Sequence, residues 1–408
     1  MRRGGALSLF VAAALVTAGV ALALPGDLDP TFGTGGLVTT DFAATNDEAL
    51  AVTPQYGGKV VAAGETNGDF GLVRYLRDGT VDTSFGSGGN VDTPFSGFAQ
   101  AAAVLRLPSN DLIAVGGAGD DFALARYQKD GALDPGFGSG GTVTTSFTGH
   151  AFASAVVRQT DNELVAAGTA DHEFALARYT KTGSLDPTFG LGGKVVTAFG
   201  TFEDEAQALL LQPDGKLVAA GVTFDSTGTT ADFALARYNP DGTLDSTFGV
   251  GGKVTTDFGG RDRGLAAVLQ DDGKIVVAGE SDDGHDVALA RYNSGGSLDS
   301  TFGSGGLVTT DFSPDLARAS AVGLDSAGNI VAAGTFFTTP KEFLVLRYTP
   351  AGTLDSTFGS GGVAVASFGA GFTEGEALDI EPNGKLLVAG HHGATLQTED
   401  FALARFDG

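Results

Sequence analysis

The chain has 408 residues, with 24 basic against 49 acidic side chains for a formal charge of -25, 42% hydrophobic residues, 64 Gly, 29 Phe, and neither Cys nor Trp. That charge excludes nucleic acid and anionic membranes as partners, since both demand basic patches, and the missing cysteine excludes disulfides, thiol chemistry and thiolate metal sites. So many glycines predict many turns, and therefore many short strands rather than long helices.

In chain order, the first element is "MRRGGALSLFVAAALVTAGVALA" (1–23), with a basic start, an apolar run and small residues at Ala21 and Ala23. This pattern predicts a secretory signal cleaved after Ala23. It leaves a single domain over 24–408 with no membrane span, exported to the periplasm or beyond the cell. The rival reading is a retained anchor helix.

Next comes "DLDPTFG" (27–33), which opens a series: "TVDTSFG" (80–86), "ALDPGFG" (132–138), "SLDPTFG" (184–190), "TLDSTFG" (243–249), "SLDSTFG" (297–303) and "TLDSTFG" again (353–359). Their phenylalanines, Phe32, Phe85, Phe137, Phe189, Phe248, Phe302 and Phe358, lie 53, 52, 52, 59, 54 and 56 residues apart. Such a period marks a repeat architecture. Within each phrase the aspartate accepts backbone N–H groups, the phenylalanine anchors and the glycine ends a tight turn.

Between the phrases each unit reads as four short stretches. These are "VTTDF" after a glycine pair, an apolar alternating run, "LVAAG" after a turn such as "QPDGK", and "DFALARY" after a variable loop. Each suits a strand and is too short for a helix. We label the strands D, A, B and C in that order. Four-stranded antiparallel units repeated seven times predict an all-β, seven-bladed β-propeller. The chain starts with a lone strand D and ends with A, B and C, so the first strand can complete the last blade and remove two exposed edges. An open solenoid is the rival, but it would need capping repeats.

Two further columns follow from the alignment. Strand C carries Arg74, Arg126, Arg178, Arg237, Arg291, Arg347 and Arg405, each of which needs an acid or carbonyl partner near the corner if half-buried. Strand A carries Ala51, Ala103, Ala155, Ala208, Ala266, Ala321 and Ala377, preceded two residues earlier by Ala or Gly. Small residues there fit the crowding of seven innermost strands.

The unit "LDPTFG…GG-V-TTDF…DGK-VVAG…DFALARYN-DG" resembles the delta-60 repeat, a bacterial repeat family. The resemblance covers nearly everything after residue 26. It implies a propeller fold and export, and it brings no catalytic residues and no defined activity. Val287, in place of the strand C phenylalanine, and Val81, in place of leucine, depart from the pattern.

What recurs seven times serves folding, so function is sought where the copies differ. The A–B turns and C–D corners are nearly constant, whereas the D–A and B–C loops vary and emerge on one rim. All five histidines fall there: His150 in a D–A loop, and His172, His285, His391 and His392 in B–C loops. Acids gather in the same loops, including Asp47 and Glu48, Glu203 and Asp204, Asp282 and Asp283, and the pair Glu399 and Asp400. They could form a cation site or an acid/base pair; the alternative is solvated loop polarity. No EF-hand spacing, "HExxH" or phosphate-binding glycine loop occurs. No cofactor is expected, with calcium the one candidate. The neighbours Phe336 and Phe337 could form an apolar contact patch or fold back onto the blade.

The expectation is a monomeric, secreted binding or structural platform with a protein or glycan partner on its loop face. The alternative is a hydrolase or lyase with an acid and a histidine at the mouth of the central channel. The second demands an acid–histidine or acid–acid pair gathered in a concave site with shifted pKa values.

Overall fold

In the computed structural model, residues 23–42, 46–200, 202–281, 284–395 and 398–408 are described. The expected signal segment lies outside them apart from Ala23. Among the described residues no helix is long and apolar enough to cross a membrane.

The chain forms seven four-stranded antiparallel sheets. After β1 (Leu37–Thr40), blade I is β2 (Asp47–Gln55), β3 (Lys59–Thr66), β4 (Asp69–Tyr75) and β5 (Asn90–Thr93). Blade II is β6 (Ala99–Arg106), β7 (Leu112–Ala118), β8 (Asp121–Tyr127) and β9 (Thr142–Thr145), and blade III is β10 (Ala151–Arg158), β11 (Leu164–Ala170), β12 (Glu173–Tyr179) and β13 (Lys194–Thr197). Blade IV is β14 (Asp204–Leu211), β15 (Leu217–Phe224), β16 (Ala231–Tyr238) and β17 (Lys253–Thr256). Blade V is β18 (Arg263–Leu269), β19 (Ile275–Ser281), β20 (Asp286–Tyr292) and β21 (Leu307–Asp311), and blade VI is β22 (Ala317–Leu324), β23 (Ile330–Phe336), β24 (Glu342–Tyr348) and β25 (Val363–Ala366). Blade VII is β26 (Phe372–Ile380), β27 (Leu386–Gly393) and β28 (Glu399–Phe406), completed by β1, with Leu37 opposite Ala404 and Thr40 opposite Phe401. Each innermost strand neighbours the next, and β26 neighbours β2, so the ring is closed.

The corner phrase is a tight turn built on its aspartate. Asp82 Oδ1 accepts from the amide and hydroxyl of Ser84 at 3.1 and 2.6 Å, and Asp245 does the same for Thr247 at 3.1 and 2.7 Å. The other oxygen takes the strand C guanidinium. Arg74 Nε reaches Asp82 at 2.8 Å, Arg237 reaches Asp245 at 2.8 Å, Arg291 reaches Asp299 at 2.9 Å, Arg347 reaches Asp355 at 2.8 Å and Arg405 reaches Asp29 at 2.7 Å. Arg126 with Asp134 and Arg178 with Asp186 complete the seven. Each guanidinium also lies over the phenylalanine of its own corner, 4.5 Å from the ring centre at Phe302 and 5.5 Å at Phe137. Six of the seven donate to a carbonyl in the following blade, at Lys129, Lys181, Pro240, Ser294, Pro350 and Arg77. Thr301 and Arg291 together hold the Asp299 carboxyl at about 2 against the opposing effect of burial.

Apolar packing follows the same register. The corner Phe85 is buried between Val61 and Leu72 of blade I and Leu112 and Tyr127 of blade II. The phenylalanine two residues past strand D packs its ring at a steep angle against the strand C phenylalanine, as Phe42 does on Phe401 at 5.1 Å and Phe95 on Phe70 at 4.7 Å. In blade V, where Val287 removes that partner, Phe312 packs at an angle against Phe336 at 5.0 Å instead. Phe336 is thus packed onto the blade.

Strand C tyrosines bond backwards around the ring. Tyr127 Oη donates to Thr93 Oγ1 at 2.8 Å, Tyr238 to Thr197 at 2.9 Å and Tyr292 to Thr256 at 2.8 Å. The seventh strand C ends in Phe406 rather than tyrosine, and the position facing it is Ala366 rather than threonine, both fully buried. The two hydroxyls are lost together, so neither is left unpaired.

Strand A carries a β-bulge in every blade. In blade I, Ala49 faces Gly64 and Ala51 faces Ala63, leaving Leu50 as the extra residue. The facing glycines Gly64, Gly116, Gly168, Gly221, Gly279, Gly334 and Gly390 have no room for a Cβ, which would meet the carbonyl oxygen two residues before each bulge well inside contact distance. This is why "AAG" recurs in strand B. The two small-residue columns differ in purpose. The column at Ala49 is buried against the neighbouring blade, where a Cβ at Gly264 or Gly375 would run into the carbonyl oxygen of Gly221 or Gly334. The column at Ala51 lines the central channel.

Two outcomes test this account by equilibrium denaturation. Tyr238→Phe costs about 1–3 kcal/mol by stranding the buried Thr197 hydroxyl, and adding Thr197→Ala recovers most of the loss. Gly221→Ala costs about 1–3 kcal/mol through overpacking, whereas Gly295→Ala, with open space around it, leaves the midpoint in place.

Candidate functional site

The loop face of the ring opens onto the central channel, whose wall repeats Leu50, Ala51 and Val52 in each blade and encloses about 280 Å³. Because the bulge fixes strand A, the residue two places before it stands at the channel mouth in every blade. These are Glu48, Gln100, Phe152, Glu205, Arg263, Arg318 and Glu374. Blades II and III thus supply neutral groups, whereas the other five supply charges.

The densest part spans blades VI, VII and I. Arg318 Nη2 pairs with Glu374 at 2.8 Å and with the channel residue Glu376 at 2.6 Å, and Lys341 Nζ reaches Glu374 at 2.5 Å. Arg318 and Lys341 also lie 5.4 and 4.9 Å from the ring centre of Phe337, which is therefore bound into this network. His391 stands opposite Glu374 in the ladder, with its Nε2 3.9 Å from Glu399 Oε1. Glu399 is 3% exposed and His391 7%. Burial pushes the Glu399 carboxyl up; His391 opposes this, and Glu48 and Glu374 add to it. Burial likewise raises Glu65, next to Glu48 and Asp47, against the bond it accepts from the Gly68 amide.

The sequence candidates fall into three groups. Glu48 and His391 come together at this junction, both acting on the Glu399 carboxyl. Asp47 and Asp204, expected in loops, are buried first residues of strand A, where each caps the preceding loop. Asp47 Oδ2 accepts the Phe42 amide at 2.9 Å and Asp204 Oδ2 accepts the Phe199 amide at 2.6 Å. Glu48 also lies within β2, and His391 and His392 lie within β27 rather than in a B–C loop, because the ladder extends to Gly393 opposite Glu399. His392 accepts or donates at Thr373 Oγ1, 2.7 Å from its Nδ1, and stacks on Phe368.

The remaining histidines are scattered. His172 turns to Glu203 of the next blade at 3.2 Å and its side chain is 67% exposed. His150 meets the same blade end through its carbonyl, which accepts the Asp171 amide. His285 Nδ1 lies 3.1 Å from the Asp315 carbonyl. Asp282 and Asp283 lie outside the described residues.

The sequence reading missed two groups. Arg263, Arg318 and Lys341 belong to the mouth, and for the two arginines the signal was a basic residue in a strand A column that is otherwise acidic or neutral. Two sets of three carboxylates also converge, Asp41 with Asp47 and Asp400, and Asp232 with Asp257 and Asp262, with one oxygen from each residue of a set within 4.8 Å of the others. Their signal was the aspartate before each phenylalanine of "TTDF" and "DFALAR", two columns far apart in the unit.

Six segments, 58–85, 109–137, 159–189, 212–248, 270–302 and 328–358, match the family described as a domain of unknown function (DUF5122), beta-propeller. No curated protein sequence matches the chain. Among solved structures it is similar to a catalytically inactive virginiamycin B lyase from Staphylococcus aureus with quinupristin, at 9% identity and a TM-score of 0.55 over 90% of this chain and 98% of that one. It is also similar to a protein from Lactobacillus plantarum, at 14% identity and a TM-score of 0.50 over 86% and 92%. The polysaccharide lyase Uly1 aligns at 13% identity and a TM-score of 0.48 over 97% and 95%. At such identities the likeness concerns the fold alone. Each of the six matched segments ends on a corner phenylalanine, and with its seven closed four-stranded blades the chain is a β-propeller repeat protein.

Proposed function

We propose that the chain is an exported, monomeric propeller of the delta-60 repeat kind that serves as a binding platform for a protein or glycan through its loop face. The observation that carries this is the division of labour between the two faces. One face is seven copies of a single arginine–aspartate–phenylalanine corner. The other holds the variable loops and a broad charged rim around the channel mouth. Rigid frames that vary on one rim are where recognition resides. The net charge of -25 disfavours nucleic acid as the partner.

One observation favours a second reading, a hydrolase or lyase at the mouth: the His391–Glu399 pair with its raised carboxyl. Against it, the pair is buried in the blade ladder and offers a substrate little surface.

Binding to purified cell-envelope material separates the face assignments. Arg318→Glu with Lys341→Glu weakens saturable binding by about tenfold or more, while Lys129→Glu on the constant face leaves it unchanged. No saturable binding by the parent, or equal loss in both variants, sinks the platform.

Glu399→Gln separates platform from enzyme. A carboxyl raised in the folded state contributes stability present below its unfolded value of about 4.3 and lost as pH rises through the folded value. The variant therefore gains melting temperature over the parent as pH rises from about 4 to 8, and it keeps its binding. A turnover activity abolished by this substitution at unchanged fold would establish the second reading.

A further inference from the structure

Asp41, Asp47 and Asp400 come from three parts of the chain that meet only because the ring closes. Asp41 directly follows the N-terminal strand β1, Asp400 lies in the C-terminal strand β28, and Asp47 opens blade I. Their carboxylate oxygens lie within 4.8 Å of one another. Oxygens bound to one calcium ion at about 2.3–2.6 Å are at most about 5 Å apart, so the three are spaced to share an ion.

Asp47 supplies the independent observation. It is 2% exposed; its Oδ2 is occupied by the Phe42 amide, and its Oδ1 has no hydrogen-bond partner although it is buried. A buried, unpartnered carboxylate oxygen costs free energy unless something positive meets it. Among the described residues neither Asp47 nor Asp400 is paired with a lysine or arginine, whereas each corner aspartate is paired with an arginine.

We propose that Asp41, Asp47 and Asp400 form a binding site for a hard divalent cation that clasps the closure of the ring. Three carboxylates and no nitrogen or sulfur donor select calcium or magnesium over softer metals, and solvent completes the shell. The ion would tie together the first strand, the last strand and the first blade, where the ring is held by no covalent link.

The same columns carry Asp232, Asp257 and Asp262 at the junction of blades IV and V, where Asp262 Oδ2 accepts the Phe258 amide at 2.6 Å just as Asp47 accepts that of Phe42. At the other five junctions at least one of the three places is Ala, Ser, Pro or Thr.

The test is calorimetric titration of the chelator-treated protein with calcium chloride, with melting curves in calcium and in chelator. The parent is expected to bind calcium saturably and to melt higher in its presence. Asp400→Asn is expected to bind one ion fewer, and in chelator to melt no lower than the parent, because it removes one of three mutually repelling charges without changing shape. The proposal is overturned by absence of heat and of melting shift up to about 10 mM calcium, beyond the weak end of extracellular sites, or by an Asp400→Asn variant that binds as many ions as the parent.

Discussion

The guanidinium of strand C is the constraint on which the ring depends. It is anchored by the corner aspartate of its own blade, flattened on the corner phenylalanine and, in six blades, bonded to a carbonyl of the next blade. One side chain therefore fixes the turn, the wedge between blades and the angle from blade to blade. A buried arginine with no such set of partners would destabilise the fold; fully satisfied, it dictates geometry. Because the aspartate and phenylalanine contacts recur in all seven blades and the bond to the next blade in six, each blade is set against the next in the same way and the ring can close on its own first strand.

This regularity explains which parts of the sequence can vary. The corner, the bulge with its facing glycine and the small column beside it are mutually dependent, so each copy keeps all of them. The loops at the opposite rim enter none of these dependencies. The charged residues of the mouth sit one step outside the bulge, where the backbone is fixed but the side chain is free to differ. Glu48, Phe152 and Arg318 occupy one geometric position with three different chemistries.

Much of this was legible in the sequence. The spacing of the corner phenylalanines yields the blade count, the lone first strand yields the closure, and the arginine column announces its need for partners. The mouth was not legible, because its members come from different blades and are neighbours only around the axis. His391 and His392 were placed in a loop because nothing local marks how far the ladder of blade VII runs. The aspartate sets escaped for a related reason: each draws on strand D, the following strand A and strand C, three stretches whose adjacency is a property of the blade junction. Phe406 and Ala366 lie in different blades, and only their shared packing in the fold shows them to be one paired change.

The offset between sequence unit and blade has a consequence for how such a chain can grow. Closure uses the two ends of the array, and every internal junction is built on the same corner, so an in-frame duplication or deletion of one unit anywhere inside adds or removes a whole blade while leaving the seam untouched. Identical phrases such as those at 243–249 and 353–359 are the kind of sequence between which unequal exchange takes place. A change in blade number would have to alter the angle that the arginine clamp sets, and the inner wall leaves little slack for it, since a Cβ at Gly264 or Gly375 would run into a carbonyl of the neighbouring blade. The angle from blade to blade, rather than the seam, sets the number of copies.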